Sequence, residues 1–316
     1  MAASDVNKRV FTDTTGQALV SAVQALQPGV VTTSQAGLYA PADYISEGKI
    51  IPATSSKNGL LTAADKALLD NPPNILTKAT TITRTAAYHN SIYRGKNLGT
   101  SFTSAQSSAI QAGTFDDMFL GDYWVINSVT YIIAGFDTHY RTGDTDLNKH
   151  HIAVIPAGNM GSSVWNETND TSTGYVGSKI RENIKASGGA QATVIAAFGD
   201  SHVLSYRAIY PTTYSDGKAT GWAWTDARVE LMNETMVYGH QVWTGGGNGN
   251  GYEDGADKQQ LPLFAVRPDA VNIRATWWLR SVYSATSACN VNGTGSAPST
   301  PGASTSSGVR PLSLIA

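Results

Sequence analysis

Cysteine is almost absent from this 316-residue chain: Cys289 is the only one. That excludes an intramolecular disulfide and a cysteine-rich metal site, and it suits synthesis in a reducing compartment. Long apolar runs are missing too. None approaches the ~18 residues that a membrane-spanning helix needs. Met1 to Asp5 show no basic stretch followed by an apolar core, so no secretory leader is expected. Charge of either sign is sparse: 22 Lys+Arg stand against 24 Asp+Glu, a formal net charge of -2. The cations are scattered, which argues against the basic footprint of a nucleic-acid or anionic-membrane binder. What is present is 41% hydrophobic residues, enough for a real core.

Catalytic motifs are also missing. The chain has no G-x-S-x-G, no H-E-x-x-H and no P-loop. His150 and His151 are adjacent on an expected strand, so their side chains point to opposite faces and are poorly placed to share one ion. Asp144, Asp146 and Asn148 have the D-x-D-x-N spacing of a calcium loop, but no Glu stands at its twelfth position. Asp254 and Asp257, in a Gly-rich stretch that starts at Gly245, are weaker metal candidates. Asp116, Asp117, Asp122 and Asp137 are the nearest candidates for paired catalytic carboxylates, and nothing in the sequence pairs them.

A further absence is confined to the C-terminal part. From Ser281 to Ser307 there is no Lys, Glu, Gln, Met or Trp; Ser, Thr, Ala, Gly, Asn and Pro dominate, with one Tyr and the only Cys. Such composition ordinarily reads as disorder. Here it is framed by Trp277-Trp278-Leu279-Arg280 before it and Gly308-Val309-Arg310-Pro311 after it, and an apolar Pro311 to Ile315 segment follows. A binding surface displayed on a rigid frame fits this arrangement better.

Residues 1–50 are polar and turn-rich, with one short helix expected around Ala18 to Leu26. Thr62 and Asp65 have capping-box spacing, and Pro72-Pro73 ends the Ala-rich helix that follows. Residues 74–114 read as a connector, with a strand at Thr80 to Thr85 and a capped helix from Thr103 to Gln111 that stops at Gly113. A compact domain is expected from Phe115. Asp122 to Ile126 and Val129 to Phe136 read as a hairpin across Asn127-Ser128. His151 to Pro156, Leu261 to Phe264 and Trp277 to Val282 read as strands, and Ser178 to Ile184 and Trp224 to Tyr238 as helices. In the second helix Val229, Met232, Met236 and Val237 would share a face.

Two resemblances add to this reading. The run Ala53 to Asp70 resembles the A-T-x-x-K-x-G-L-x-[ST]-A-x-D-K-x-x-L-D motif of phage tail-fibre and baseplate proteins, and every specified position agrees. From Phe115 onward the order of motifs resembles the C-type-lectin-fold variable proteins of diversity-generating retroelements. The resemblance rests on Gly121-Asp122-Tyr123-Trp124, Tyr131 to Phe136, His150-His151-Ile152, Gly174 to Ser178 and Glu230 to Glu234. Trp278-Leu279-Arg280 and Gly308-Val309-Arg310-Pro311 carry it most specifically. The fold class expected is α+β. A C-type lectin-like fold would occupy residues 115–316, variable over about 274–311, after an extended, trimeric fibre or attachment segment over 1–114.

In that family template adenines are mutagenised, so asparagine-type codons become codons ending in a pyrimidine. Those cannot encode the five residue types missing between Ser281 and Ser307. The resemblance implies a fixed frame of Ala285, Ala288, Val291, Gly295, Ala297, Ala303 and Ser304. It implies a contact set of Thr276, Ser281, Tyr283, Ser284, Thr286, Cys289, Gly293, Thr294, Ser296, Pro298, Ser299, Thr300, Pro301, Thr305 and Ser307. With Tyr283 as the one large aromatic, affinity per site would be weak and trimer avidity would matter.

The function implied is that of a phage tail-tip adhesin, a homotrimer present in the virion and made in the host cytoplasm. Its ligand would be a bacterial cell-surface protein or glycan, and its N-terminal region would join other phage tail proteins. No cofactor, metal, catalytic residue, nucleic-acid partner or membrane insertion is expected. The fold is shared with formylglycine-generating enzymes, whose catalytic cysteines one Cys does not supply. No E-P-N or Q-P-D tripeptide is present, so a calcium-dependent sugar site is not expected. The alternatives are a tail-associated glycan hydrolase or depolymerase, and a variable lectin-fold protein displayed on a bacterial surface.

Overall fold

A computed structural model describes residues 85–242, 259–296 and 301–316. The expected helix at Ala18 to Leu26, the Ala53 to Asp70 motif, nearly all of the Thr80 to Thr85 strand, and Asp254 and Asp257 lie outside the described residues. So do Ala297, Pro298, Ser299 and Thr300.

The described chain is mixed α/β. Its helices are α1 (Ala86–His89), α2 (Ser104–Gln111), α3 (Lys179–Lys185), α4 (Ala190–Phe198), α5 (Glu234–Tyr238) and α6 (Pro262–Val266). The first strands are β1 (Tyr123–Ile126), β2 (Val129–Phe136), β3 (Ile152–Pro156) and β4 (Ser162–Val164). Then come β5 (Tyr206–Ser215), β6 (Lys218–Ala227), β7 (Val229–Leu231), β8 (Trp277–Val282), β9 (Ala288–Val291), β10 (Ser306–Gly308) and β11 (Pro311–Ile315). They form a five-stranded sheet in the order β1-β2-β3-β11-β7, a four-stranded sheet β4-β10-β8-β9, and a two-stranded ribbon β5-β6.

Local chemistry explains several elements. Asn127 and Ser128 both have positive φ, 49° and 65°, as the mirror-image turn of a two-residue hairpin requires. β1 and β2 therefore pair as expected, Ile126 opposite Val129. In α2 the Thr103 side chain accepts from Gln106 N, while Gln106 Oε1 accepts from Thr103 N, a closed capping box. Ser178 caps α3 by accepting from Arg181 N alone, with no reciprocal side-chain bond. β3 and β11 are buried along their whole length, so neither shows alternation.

Four tryptophans, Trp124, Trp165, Trp277 and Trp278, are fully buried. Three of their indoles are tied down. Trp124 Nε1 donates to Gln106 Oε1 at 3.2 Å, Trp165 Nε1 to Leu279 O at 3.2 Å and Trp278 Nε1 to Ser163 O at 2.9 Å. The last two bonds lock β4 and the segment after it onto β8.

Three expectations are corrected. Trp224 to Tyr238 is not one helix: β6 runs to Ala227, β7 covers Val229–Leu231, and α5 begins at Glu234. Val229, Met232, Met236 and Val237 are all buried, but in a strand, the link after it and a short helix, so their helical spacing is coincidental. Leu261 to Phe264 is not a strand. Pro262 sits at the first turn of α6, where its missing N–H has no partner to lose. The compact unit begins at Thr83 rather than near Phe115. Residues 85–114 belong to it because Arg94 reaches the buried Asp122 (Nη2 to Oδ2 2.6 Å) and Asn90 bonds the backbone of Phe136 in both directions. Among the described residues no helix is long and apolar enough to cross a membrane.

Candidate binding surface

β8 is the spine of the region that the sequence singles out. All six of its residues are buried. It pairs with β9 through Trp277↔Val291, Trp278↔Asn290 and Val282↔Ala288, with a bulge in between. Arg280 donates its backbone N–H to Met232 O at 3.0 Å and its Nη1 to Leu231 O at 2.8 Å. Its guanidinium lies 4.9 Å from the centre of the Tyr210 ring.

The second frame motif is equally internal. Gly308 pairs with Trp277, and its N–H donates to Thr276 O at 3.1 Å. A Cβ on Gly308 would overlap the Asn159 amide, which itself donates to Thr276 O at 3.0 Å. Arg310 is 1% exposed. It donates to Pro156 O and Ala270 O, and its guanidinium lies 5.1 Å from the centre of the Trp277 ring. Burial pushes its pKa down to about 10. Both frame motifs are thus core residues of the four-stranded sheet and its neighbour.

The β8–β9 register divides the expected contact set between two ends of β8. Thr276 precedes Trp277, and Gly293, Thr294 and Ser296 follow Val291, so these four share the near end. Tyr283, Ser284 and Thr286 lie in the turn at the far end. Gly302 bridges to Ser287, and Ala303 N donates to Thr286 O at 2.9 Å, which brings Pro301 and Thr305 to the far end as well. Thr276, Thr286, Thr294, Ser296 and Thr305 are exposed; Tyr283, Ser284, Gly293 and Pro301 are half-buried.

Three members of the set are corrected because they are enclosed. Ser281 is 8% exposed and its Oγ accepts from Glu234 N. Cys289 is wholly buried, and that burial, with Glu234 beside it, raises the thiol pKa well above its ordinary value. Ser307 is 5% exposed, opposite Ser163 in β4. None of the three offers a side chain to a ligand. Of the expected fixed frame, Ala288, Val291 and Ala303 are fully buried, Gly295 holds φ +84°, and Ala285 and Ser304 are exposed.

Two further segments reach the far end, and the sequence reading missed both. The loop over 166–173 docks there: Thr171 donates its N–H to Ala285 O and its hydroxyl to Ser284 O, at 3.0 and 2.7 Å. Asn169 Oδ1 accepts from Ser304 N and Oγ, at 2.9 and 2.8 Å. The tip of the β5–β6 ribbon is the other segment. Asp216-Gly217, with φ of 50° and 73°, makes its turn, and Gly217 abuts Tyr283 and Ser284. An Asp-Gly pair between strand-forming residues was the available signal for this ribbon.

The competing sites are occupied by structural pairings. Arg94 and Lys96 both pair with Asp117, Arg94 pairs with Asp122, and Asp116 accepts from Thr114 Oγ1 at 3.0 Å. Burial raises the Asp117 pKa, but hydrogen bonds from Lys96 and Arg94 outweigh it and hold the carboxyl below its ordinary value. A cleft of about 730 Å³ against α2 includes Asp116 and Asp117 in its lining. Asp137 bonds His150 Nδ1 at 2.7 Å and the His151 backbone N–H at 2.9 Å. Asp144 is engaged by Arg207 at 2.8 and 3.1 Å. Among the described residues no group of three or more His, Cys, Asp or Glu is placed to hold a metal ion.

Residues 230–316 match the model of a family described as Domain of unknown function (DUF6273). That segment contains β8 to β11, both frame motifs and both groups of exposed positions. No curated protein and no solved structure matches the chain.

Proposed function

We propose that this protein is a receptor-binding adhesin of a phage tail tip, with a C-type lectin-like domain whose C-terminal surface is diversified by a retroelement. One observation carries the reading: a polar segment of restricted composition is held at both ends by fully buried residues. Trp277, Trp278 and Leu279 anchor one side, and Gly308, Val309 and Arg310 the other. Exposed positions such as Thr286, Thr294 and Thr305 then change identity without disturbing the core, because the backbone that carries them is fixed from behind. The ion-paired carboxylates near α2 favour binding over a glycan-cleaving tail protein, because a general acid and base need carboxylates free to exchange protons.

The testing experiment is to sequence the DNA around this gene across a population of the source genome. The expected result is a near-copy of the region encoding Trp278 to Pro311 beside a reverse transcriptase, with differences confined to template adenines. An invariant segment with no such copy would remove the diversification reading.

A further inference from the structure

The two ends of β8 differ in the segments that they bring together. At the near end Asn292 Oδ1 accepts from Thr294 N, Thr294 Oγ1 and Ser296 N, at 2.9, 2.7 and 3.1 Å. The far end has internal bonds of the same kind, with Asp170 Oδ1 and Oδ2 accepting from Ser172 N and Oγ at 2.8 and 3.1 Å and Ser284 Oγ accepting from Thr286 N at 3.3 Å. At the far end three separate segments meet: the 283–287 turn with 301–305, the 166–173 loop, and the ribbon tip. They are held by the Thr171 and Asn169 bonds and by Tyr214 N donating to Ser172 O at 2.8 Å. This places the exposed Thr168, Asp170 and Ser172 of the fixed loop beside the exposed Thr286 and Thr305.

The chemistry of the far end is narrow. It offers hydroxyls, carboxylates including Asp170 and Glu167 (73% exposed, 3.9 Å from Lys179 Nζ), the exposed Lys218, and two half-buried aromatic rings, Tyr283 and Tyr214. The large hydrophobics exposed among the described residues are Tyr93, Trp222, Val242 and Val266, none of them in these three segments. A protein partner draws most of its affinity from buried aromatic and Arg anchors, and this surface has little to anchor one. A sugar needs something different: planar carboxylates that accept from neighbouring hydroxyls, hydroxyls that donate and accept, and a ring for its apolar C–H face. Resting on the adhesin reading, we infer that the ligand is a glycan, bound at the far end of β8 by the fixed loop 166–173 together with the Tyr283 to Thr286 turn.

The test uses the full-length chain, fluorescently labelled, on intact cells of a panel of bacterial strains. Cells that bind it are treated in parallel with periodate, which opens vicinal diols, and with proteinase K. Periodate is expected to abolish binding and the protease to leave it. Asp170→Ala and Tyr283→Ala are each expected to weaken binding at least tenfold, and Ser101→Ala, exposed and remote in sequence from both ends of β8, to stay within twofold. Asp170 Oδ1 and Oδ2 also accept from Ser172 N and Oγ, so Asp170→Asn, which keeps an acceptor for the loop but removes the charge, is measured beside Asp170→Ala and is expected to weaken binding as well. Loss of binding with protease and retention after periodate would overturn the glycan and leave the adhesin standing. Sensitivity to Thr294→Ala, at the near end, but not to Asp170→Ala would overturn the far-end assignment. Adhesion to no strain of the panel would count against the adhesin reading itself, and the glycan would fall with it.

Discussion

Gly217, at the tip of the β5–β6 ribbon, lies directly against the backbone of Ser284. A Cβ at Gly217 would lie 2.6 Å from Tyr283 O and 2.8 Å from Ser284 Cα. Both neighbours are main chain, so neither can swing aside, and Gly217 also holds φ +73°. Gly217→Ala is therefore expected to cost about 1–3 kcal/mol, from strain in the left-handed region and from the close contact. The same change should displace the turn that carries Tyr283. Urea unfolding checks the first effect. The second would appear as altered amide shifts at Ser284 to Ser287, and unchanged shifts there would refute it.

Cys289 and Thr286 stand three residues apart and should respond in opposite ways to the same substitution. Thr286→Tyr adds a ring to an exposed position and is expected to change stability by less than about 0.5 kcal/mol. Cys289→Tyr drives the ring into a fully buried site beside Glu234, where overpacking costs about 1–3 kcal/mol or more. Thermal melts of the two variants decide the matter. A tolerant Cys289 would mean that the β9 face opens more readily than its packing implies.

The buried pair Arg181 and Glu230 predicts an asymmetry. Arg181 Nη2 lies 2.7 Å from Glu230 Oε1, with both side chains nearly free of solvent. Glu230→Ala leaves a guanidinium buried without its counter-charge, expected to cost about 3–5 kcal/mol. The double variant Arg181→Met with Glu230→Leu removes both charges and is expected to recover most of that loss. Denaturant unfolding of the three proteins measures it. A double variant no more stable than Glu230→Ala would show that the pair's hydrogen bonds, rather than its charges, matter.

His151 makes stability depend on acid. Its Nδ1 faces Lys149 O at 2.9 Å and its Nε2 accepts from His139 N at 3.1 Å, so the neutral ring has both nitrogens matched. Burial lowers its pKa to about 3. Unfolded, the ring regains its ordinary value of about 6.5, so the unfolded chain takes up the proton first as pH falls. The contribution is fully present above about pH 6.5 and is lost as pH drops toward 3, on the order of a few kcal/mol in all. His151→Gln is expected to flatten the slope over that window. Stability measured from pH 7 to 4 that is equally steep in the variant would assign the slope elsewhere.

What the sequence alone determined is what a few neighbouring residues can encode. The Asn127-Ser128 hairpin, the capped helix from Thr103 to Gln111, the helix after Ser178 and the strand from Trp277 to Val282 were all legible, because their signals lie within one turn, one short helix or one strand. The restricted composition between Ser281 and Ser307 was legible as well. Tertiary structure decided the rest. Val229 to Val237 has helical spacing, yet β11 takes Val229, Glu230 and Leu231 as a strand, because pairing with a remote segment outweighs a local period. Composition could not say that Cys289 is enclosed and Thr286 is exposed. Burial there follows from the bulged β8–β9 register and from what packs behind each position. Nor could it place Asn169 against Ser304, 135 residues away, or Arg94 against Asp122. Contacts at that separation depend on how the sheets and loops come together, which no local signal in this chain records.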